Sequence, residues 1–216
     1  RAIELSPDYV PAVTGLARSL TKESLALRRN NDRDLVNRAL VLAEKAIDMD
    51  PLDPNAWRER AHAHLYLNDL DASLEFIEAA RGRARHHADI LAEKADILIH
   101  ASRAADAKAS IEQALALNPA APDDYLWILG ASEFFIGRYG HGLETLLKIR
   151  RKDDVSRLIA ATAAMAGDME TAAIYRRQFL ELYPDARIEQ FTQFMPYKSK
   201  SDVDHYVDAL RRAGFP

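Results

Sequence analysis

Ala46-Ile47-Asp48-Met49-Asp50-Pro51 and Ala114-Leu115-Ala116-Leu117-Asn118-Pro119 are two copies of one helix ending. Each has a small residue, apolar residues at helical spacing, a polar residue and a proline that cannot continue the helix. Ala2-Ile3-Glu4-Leu5-Ser6-Pro7 and Phe179-Leu180-Glu181-Leu182-Tyr183-Pro184 close in the same way. Pro51 and Pro119 are 119 − 51 = 68 residues apart, twice 34, and the intermediate ending at Ala80 to Arg85 keeps the small residue without the proline. A period of about 34 is that of a helix-turn-helix unit in a repeat array.

Two antiparallel helices that cross closely need small residues where their backbones meet. Between Pro54 and Arg85 the first helix carries Trp57 and Ala61, the turn is Asn68-Asp69, and the second helix carries Leu70, Ser73, Ile77 and Ala80. Leu91, Ala95, Ala107, Ile111, Ala114 and Pro119 each fall 34 residues after a matching site. Downstream, Leu129-Gly130, the turn Gly137-Arg138-Tyr139 and Leu146 form a hairpin with a short second helix; Ile159, Ala160, Gly167-Asp168-Met169, Ala172 and Pro184 form another. Upstream, Leu16 and Ala17 mark a first helix and Ala39 and Ala46 its partner. Pro7 to Pro51 is 51 − 7 = 44, ten more than one period. The surplus falls between about Lys22 and Asp34, a polar loop or an extended first helix. After Pro184, Ile188 to Phe194 and Asp202 to Arg212 read as helices joined by Pro196-Tyr197-Lys198 that cap the hydrophobic end. The sequence therefore predicts an all-α solenoid: residues 1–184 hold a partial repeat at 1–7 and about five hairpins, and 185–216 form a helical cap. Arg1 to Pro7 reads as the last turn of a helix, so a longer parent protein is expected.

Bulk composition narrows the function classes. The 216 residues are 48% apolar and 29% charged, with a net charge of −4. Mean hydropathy is −0.28 and the pI near 6.0. No global positive field draws this chain to nucleic acid or an anionic lipid surface, and no apolar stretch approaches the roughly 20 residues that span a bilayer. The absence of cysteine removes disulfides, thiolate nucleophiles and cysteine-ligated zinc, and fits a reducing compartment; the cytoplasm is expected.

The phased alanines, glycines and prolines, with Trp57, Gly130 and Tyr139, resemble the tetratricopeptide-repeat (TPR) family over nearly the whole chain. That resemblance implies a right-handed superhelix of hairpins that binds other proteins. The tail, Phe194-Met195-Pro196-Tyr197 followed by Asp202 through Pro216, is similar to the C-terminus of bacterial multidomain signalling proteins. Many of these are class III adenylate or guanylate cyclases with a repeat array after the cyclase domain and a lengthened early hairpin like that around Lys22 to Asp34. Winged-helix transcriptional regulators carry similar arrays and tails, so both parents stay open. Their catalytic and DNA-reading residues have no counterpart in this sequence.

A search for chemistry returns structural explanations. No glycine-flanked serine or compatible Ser/His/Asp order stands out. His62 and His64 are two apart and point to different sides of a helix, whereas zinc-protease histidines are four apart; they read as surface or groove residues. His86 and His87 are adjacent at an inter-repeat turn. Asp48, Asp50 and Asp53 lack the glycine and distal glutamate of a calcium loop, and Gly137, Gly140 and Gly142 lack the lysine and strand of a phosphate loop. No catalytic, cofactor-binding or metal-ligating residue is assigned. Arg81, Arg83 and Arg85, and Lys148, Arg150, Arg151 and Lys152, complement helix dipoles or form a phosphate-binding stripe.

In a curved array the first helices line a concave groove, and repeat phase places Arg58, His62, Tyr66, Asp96, His100, Trp127, Phe135 and Arg157 there. Aromatic anchors mixed with charge suit an extended or helical protein segment. The alternative for Tyr66, Trp127 and Phe135 is internal packing. The chaperone-tail clamp of the family needs groove lysines and asparagines that Arg58, His62 and Asp96 do not supply. The expected function is a protein-contact scaffold in a bacterial signalling protein, with a protein or peptide segment, an attached domain or a second copy as partner, and neither nucleic acid nor membrane. The other reading is a sensor array that binds a small ligand.

Overall fold

The computed structural model describes Ser6 and residues 8–26, 33–153, 155–192 and 196–216. These carry twelve α-helices and no strand: α1 Val10–Ala26, α2 Arg33–Met49, α3 Pro54–Tyr66, α4 Leu70–Arg83, α5 Ala88–His100, α6 Ala104–Leu117, α7 Asp123–Ile136, α8 Tyr139–Leu147, α9 Ser156–Ala166, α10 Met169–Leu182, α11 Ile188–Thr192 and α12 Lys200–Arg212. They fall into two compact units, Arg1–Ile97 and Leu98–Pro216. Residues 185–216 belong to the second. Apart from Ser6, the partial repeat expected at 1–7 lies outside the described residues, and so do Phe194 and Met195 of the tail and residues 27–32 of the early surplus. α1 runs into that surplus from one side and α2 leaves it on the other.

The period is visible in the backbone. At the end of four of the five second helices an N–H reaches back four residues: Asp50 to the Ala46 carbonyl (2.9 Å), Ala84 to Ala80 (3.2 Å), Asn118 to Ala114 (3.0 Å) and Tyr183 to Phe179 (2.9 Å); the short α8 ends instead on three-residue bonds from Lys148 and Ile149. Proline after Asn118 and Tyr183 favours the extended backbone seen there. Ala84, followed by arginine, adopts the same conformation, so proline reinforces this ending without being required for it.

The turns inside the repeats share a second signature. Asn68 (φ 68°), Ser102 (φ 62°), Gly137 (φ 85°) and Gly167 (φ 87°) are all left-handed. The residue after each donates to a carbonyl five positions back: Asp69 to His64, Arg103 to Leu98, Arg138 to Glu133 and Asp168 to Ala163, at 2.8 to 2.9 Å. This Schellman ending satisfies carbonyls that the helix terminus would otherwise leave open. Asp69 and Asp168 then cap the next helix by accepting the N–H groups of Ala72 and Thr171.

Small residues hold the close crossings. Ser73 is fully buried and donates its hydroxyl to the Ala61 carbonyl at 2.8 Å, joining α4 to α3. Between α7 and α8 the contact is glycine on glycine. A Cβ on Gly130 would stand 2.5 Å from Leu146 Cγ, and one on Gly142 would stand 3.1 Å from the Gly130 carbonyl oxygen. Mid-helix glycine costs about 1 kcal/mol relative to alanine, and here it lets two backbones meet.

In the first unit the core runs in consecutive clusters. Ala17, Leu20, Ala39 and Ala43 pack between α1 and α2; Val13, Ala46, Ile47 and Ala56 carry the core to α3; Ala61, Leu65, Ile77, Ala80, Ile90 and Ile97 continue it through α4 to α5. Trp57 packs against the last two clusters, and its indole N–H donates to the Pro51 carbonyl. In the second unit α9 is buried almost all round, from Leu158 to Ala164. It packs on α8, α10 and α12, which is why its sequence is a run of small apolar residues and not a one-sided stripe.

Candidate functional site

The first-helix face of the N-terminal unit is built from charge. Arg58 on α3 is buried at 4% exposure beside Glu59 at 3%, with Nη2 2.8 Å and Nε 3.2 Å from Glu59 Oε1. Arg58 Nη1 lies 3.6 Å from Asp89 of α5, and Arg18 of α1 lies 3.4 Å from Glu59. Burial of Arg58 works against its charge, but Glu59, Glu93 and Asp89 outweigh it and hold the guanidinium more firmly protonated than usual. One turn on, His62 Nε2 sits 3.1 Å from Glu93 Oε1, with Tyr66 edge-on to the imidazole at 5.0 Å. Asp96 is buried on the same side of α5.

The corresponding face of the C-terminal unit is covered by the chain itself. His100, at the end of α5, stacks on Tyr197 at 4.8 Å, and its carbonyl accepts the Lys198 N–H at 2.8 Å. Phe135 of α7 meets Tyr197 at 5.2 Å and His205 at 5.9 Å. Arg157 of α9 donates to the Tyr206 hydroxyl at 3.0 Å and lies 4.2 Å from the Phe191 ring centre. His205 stacks on Phe134 at 4.7 Å and is 2.9 Å from the Tyr139 hydroxyl. The chain end is pinned too: Ile188 N–H donates to the Pro216 carbonyl, and Arg176 to that of Gly214. Residues 196–216 therefore lie along first helices as well as against α11.

Of the eight groove residues expected from sequence, Arg58, His62 and Asp96 come together with Tyr66 in the first unit. His100, Phe135 and Arg157 are engaged by the C-terminal segment in the second, and Trp127 is half-buried on α7. His62, expected at a surface or groove position, is buried in the structure, with α5 lying against it. The basic clusters are used locally. Arg81 pairs with Glu78, Arg83 stacks 3.9 Å over Trp57 and bonds the Pro51 carbonyl, and Arg150 pairs with Asp123. Sequence reading missed Glu59, Asp89 and Glu93. The signal was there: Glu93 follows Glu59 by 93 − 59 = 34, the same step that relates His62 to Asp96.

Burial of His205 holds its pKa below the ordinary 6.5, against the opposing pull of Asp202 and Asp208. The folded protein therefore binds a proton there less readily than the unfolded chain. The docked C-terminal segment should be fully held above pH 6.5 and loosen as pH falls below it. Hydrogen-exchange protection factors of residues 200–212, corrected for the intrinsic pH dependence of exchange, should fall from pH 7.5 to 5.5, and His205→Phe should flatten that dependence.

No family model matches the chain, and no curated protein matches it. Solved structures do. PilW, a widely conserved type IV pilus biogenesis factor, shares 19% identity over 93% of this chain and 89% of its own, with a TM-score of 0.65. The Pseudomonas aeruginosa protein PilF shares 16% over 93% and 90%, at 0.62. YrrB, a TPR protein with an unusual peptide-binding site, shares 16% over 85% and 91%, at 0.52. At these identities the likeness is one of fold, and it agrees with the repeated turns and helix endings. This chain has the all-α helical-hairpin fold of TPR proteins.

Proposed function

We propose that this chain is a non-catalytic docking scaffold whose working surface is the first-helix face of the N-terminal unit, and that its ligand is a polypeptide segment. The observation that carries the reading is the manner in which residues 196–216 lie on the first helices of their own unit. Tyr197 stacks on His100 and meets Phe135 at a tilt, a tyrosine hydroxyl meets Arg157, and one main-chain N–H bonds the His100 carbonyl. A protein segment is thus what such a face accommodates. Arg58, His62, Tyr66 and Asp96 offer a comparable mixture of ring and charge. The excess of carboxylates around them favours a segment with basic residues.

The YrrB likeness adds a peptide-binding relative in fold, and among the described residues no helix is long and apolar enough to cross a membrane. We place the module in a bacterial signalling protein, a class III cyclase first and a winged-helix regulator second, on the tail resemblance alone; the cytoplasm is proposed from the cysteine-free sequence. The gene upstream of Arg1 checks that assignment. A photo-cross-linker at position 66 tests the docking surface: it should capture a discrete protein segment, and folded Tyr66→Ala should weaken the captured complex about tenfold. Unchanged affinity in folded Tyr66→Ala and Asp96→Asn variants rejects this face.

A further inference from the structure

On the first-helix face of the N-terminal unit His62, from α3, converges with Glu93 and Asp96, from α5. Each offers one ligand atom, and the three atoms lie within 4.8 Å of one another. The closest pair, His62 Nε2 and Glu93 Oε1, is 3.1 Å apart. Glu93 and Asp96 are three residues apart on a helix, so both project to one side. His62 and Asp96 are buried and Glu93 is half-buried, unlike a cluster of solvated surface acids.

From this geometry we infer that His62, Glu93 and Asp96 form a binding site for a divalent transition-metal ion, with zinc the best fit. An ion about 2.0–2.2 Å from each donor holds its ligands roughly 3.0–3.5 Å apart. The first pair already has that spacing, and the others need to close by no more than about 1.5 Å, within reach of side-chain rotation. One imidazole nitrogen with two carboxylate oxygens suits zinc or manganese; an imidazole donor disfavours calcium and magnesium, and the lack of thiolate disfavours copper(I).

Charge supports the assignment. Four carboxylates, Glu59, Asp89, Glu93 and Asp96, gather on this face, with Arg18 and Arg58 beside Glu59 among the described residues. Arg58 makes its close contacts with Glu59 and Asp89, although Glu93 also feels its charge. A divalent cation beside His62 places positive charge next to Glu93 and Asp96. Three protein ligands leave a coordination position open, which a carboxylate or histidine of a docked segment can fill. The site also ties α3 to α5, the first helices of consecutive hairpins.

The test is titration of the whole chain, stripped with EDTA, with ZnCl2 at pH 7.5 by calorimetry, with MnCl2 and CaCl2 in parallel. One zinc equivalent should bind saturably, calcium should not compete, and zinc should raise the unfolding midpoint. His62→Gln and Asp96→Asn should each weaken binding on the order of 100-fold, whereas His86→Ala/His87→Ala should leave it unchanged. Long-range nitrogen-proton spectra of the unsubstituted protein should show the His62 ring nitrogen shifting on zinc addition, independent of how any variant folds. No saturable binding, an unmoved His62 signal, or full affinity in folded Asp96→Asn overturns the site.

Discussion

Phe134→Ala should destabilise the C-terminal unit by about 3–5 kcal/mol, the range for removing a buried phenylalanine side chain from a core. Phe134 is fully buried and stands among four rings: Phe135 at 5.1 Å, Tyr139 at 5.7 Å, His205 at 4.7 Å and Tyr206 at 5.8 Å. These belong to α7, α8 and α12, so one ring joins a hairpin to the C-terminal helix. Its loss leaves a cavity that alanine cannot fill and removes the platform on which His205 stacks. Urea unfolding should register the loss, and hydrogen exchange should place the largest local change in residues 200–212. Phe134→Leu should cost less, since much of the volume stays, but should still quicken exchange in α12 because the stacked imidazole loses its partner. Unaltered exchange in α12 in the alanine variant would show that the helix is held elsewhere.

Arg58→Ala carries the second large effect, about 3–5 kcal/mol, from a different cause. The substitution leaves Glu59 buried with, among the described residues, the more distant Arg18, and removes one contact of Asp89. An uncompensated buried carboxylate is what makes breaking such a pair costly, while replacing both members with packed apolar groups is often nearly neutral. Arg58→Met/Glu59→Leu should therefore recover most of the loss seen in Arg58→Ala. Thermal unfolding of the two variants measures the difference directly. Equal instability in both would assign the cost to lost packing around the α3 backbone rather than to stranded charge.

The stability of the double variant also bears on function. Recovery of the fold in the double variant would mean that the pair adds little net stability over packed apolar groups. On this face it keeps α3 polar next to His62, Glu93 and Asp96. The double variant should therefore stay folded and still lose affinity for a basic segment.

Much of the fold was legible because it rests on local chemistry. Prolines and alanines at a step of 34 mark where second helices end, and Asn68, Gly137 and Gly167 mark where the chain must turn left-handed. Ser102 at the equivalent turn was less readable, since serine carries no comparable preference for that conformation; its place follows only from the Leu98 carbonyl that Arg103 reaches. The repeat phase also put Arg58, His62 and Asp96 on one face. It did not reveal that Arg58 and Asp96 would be buried, because burial depends on what the next helix brings.

What the sequence determined by itself is therefore the period, the helix ends and the small residues at the crossings, all of which act within about one turn of the chain or between the two helices of one hairpin. Tertiary structure alone decided that residues 196–216 lie across His100, Phe135 and Arg157, and that His62 meets two carboxylates from α5. The first pairs groups far apart in the chain with no periodic signature; the second joins positions related by the 34-residue step, but the step alone does not say that their side chains meet. Stacking, ion pairing and metal ligation depend on distances between side chains, and these exist only once neighbouring helices have packed.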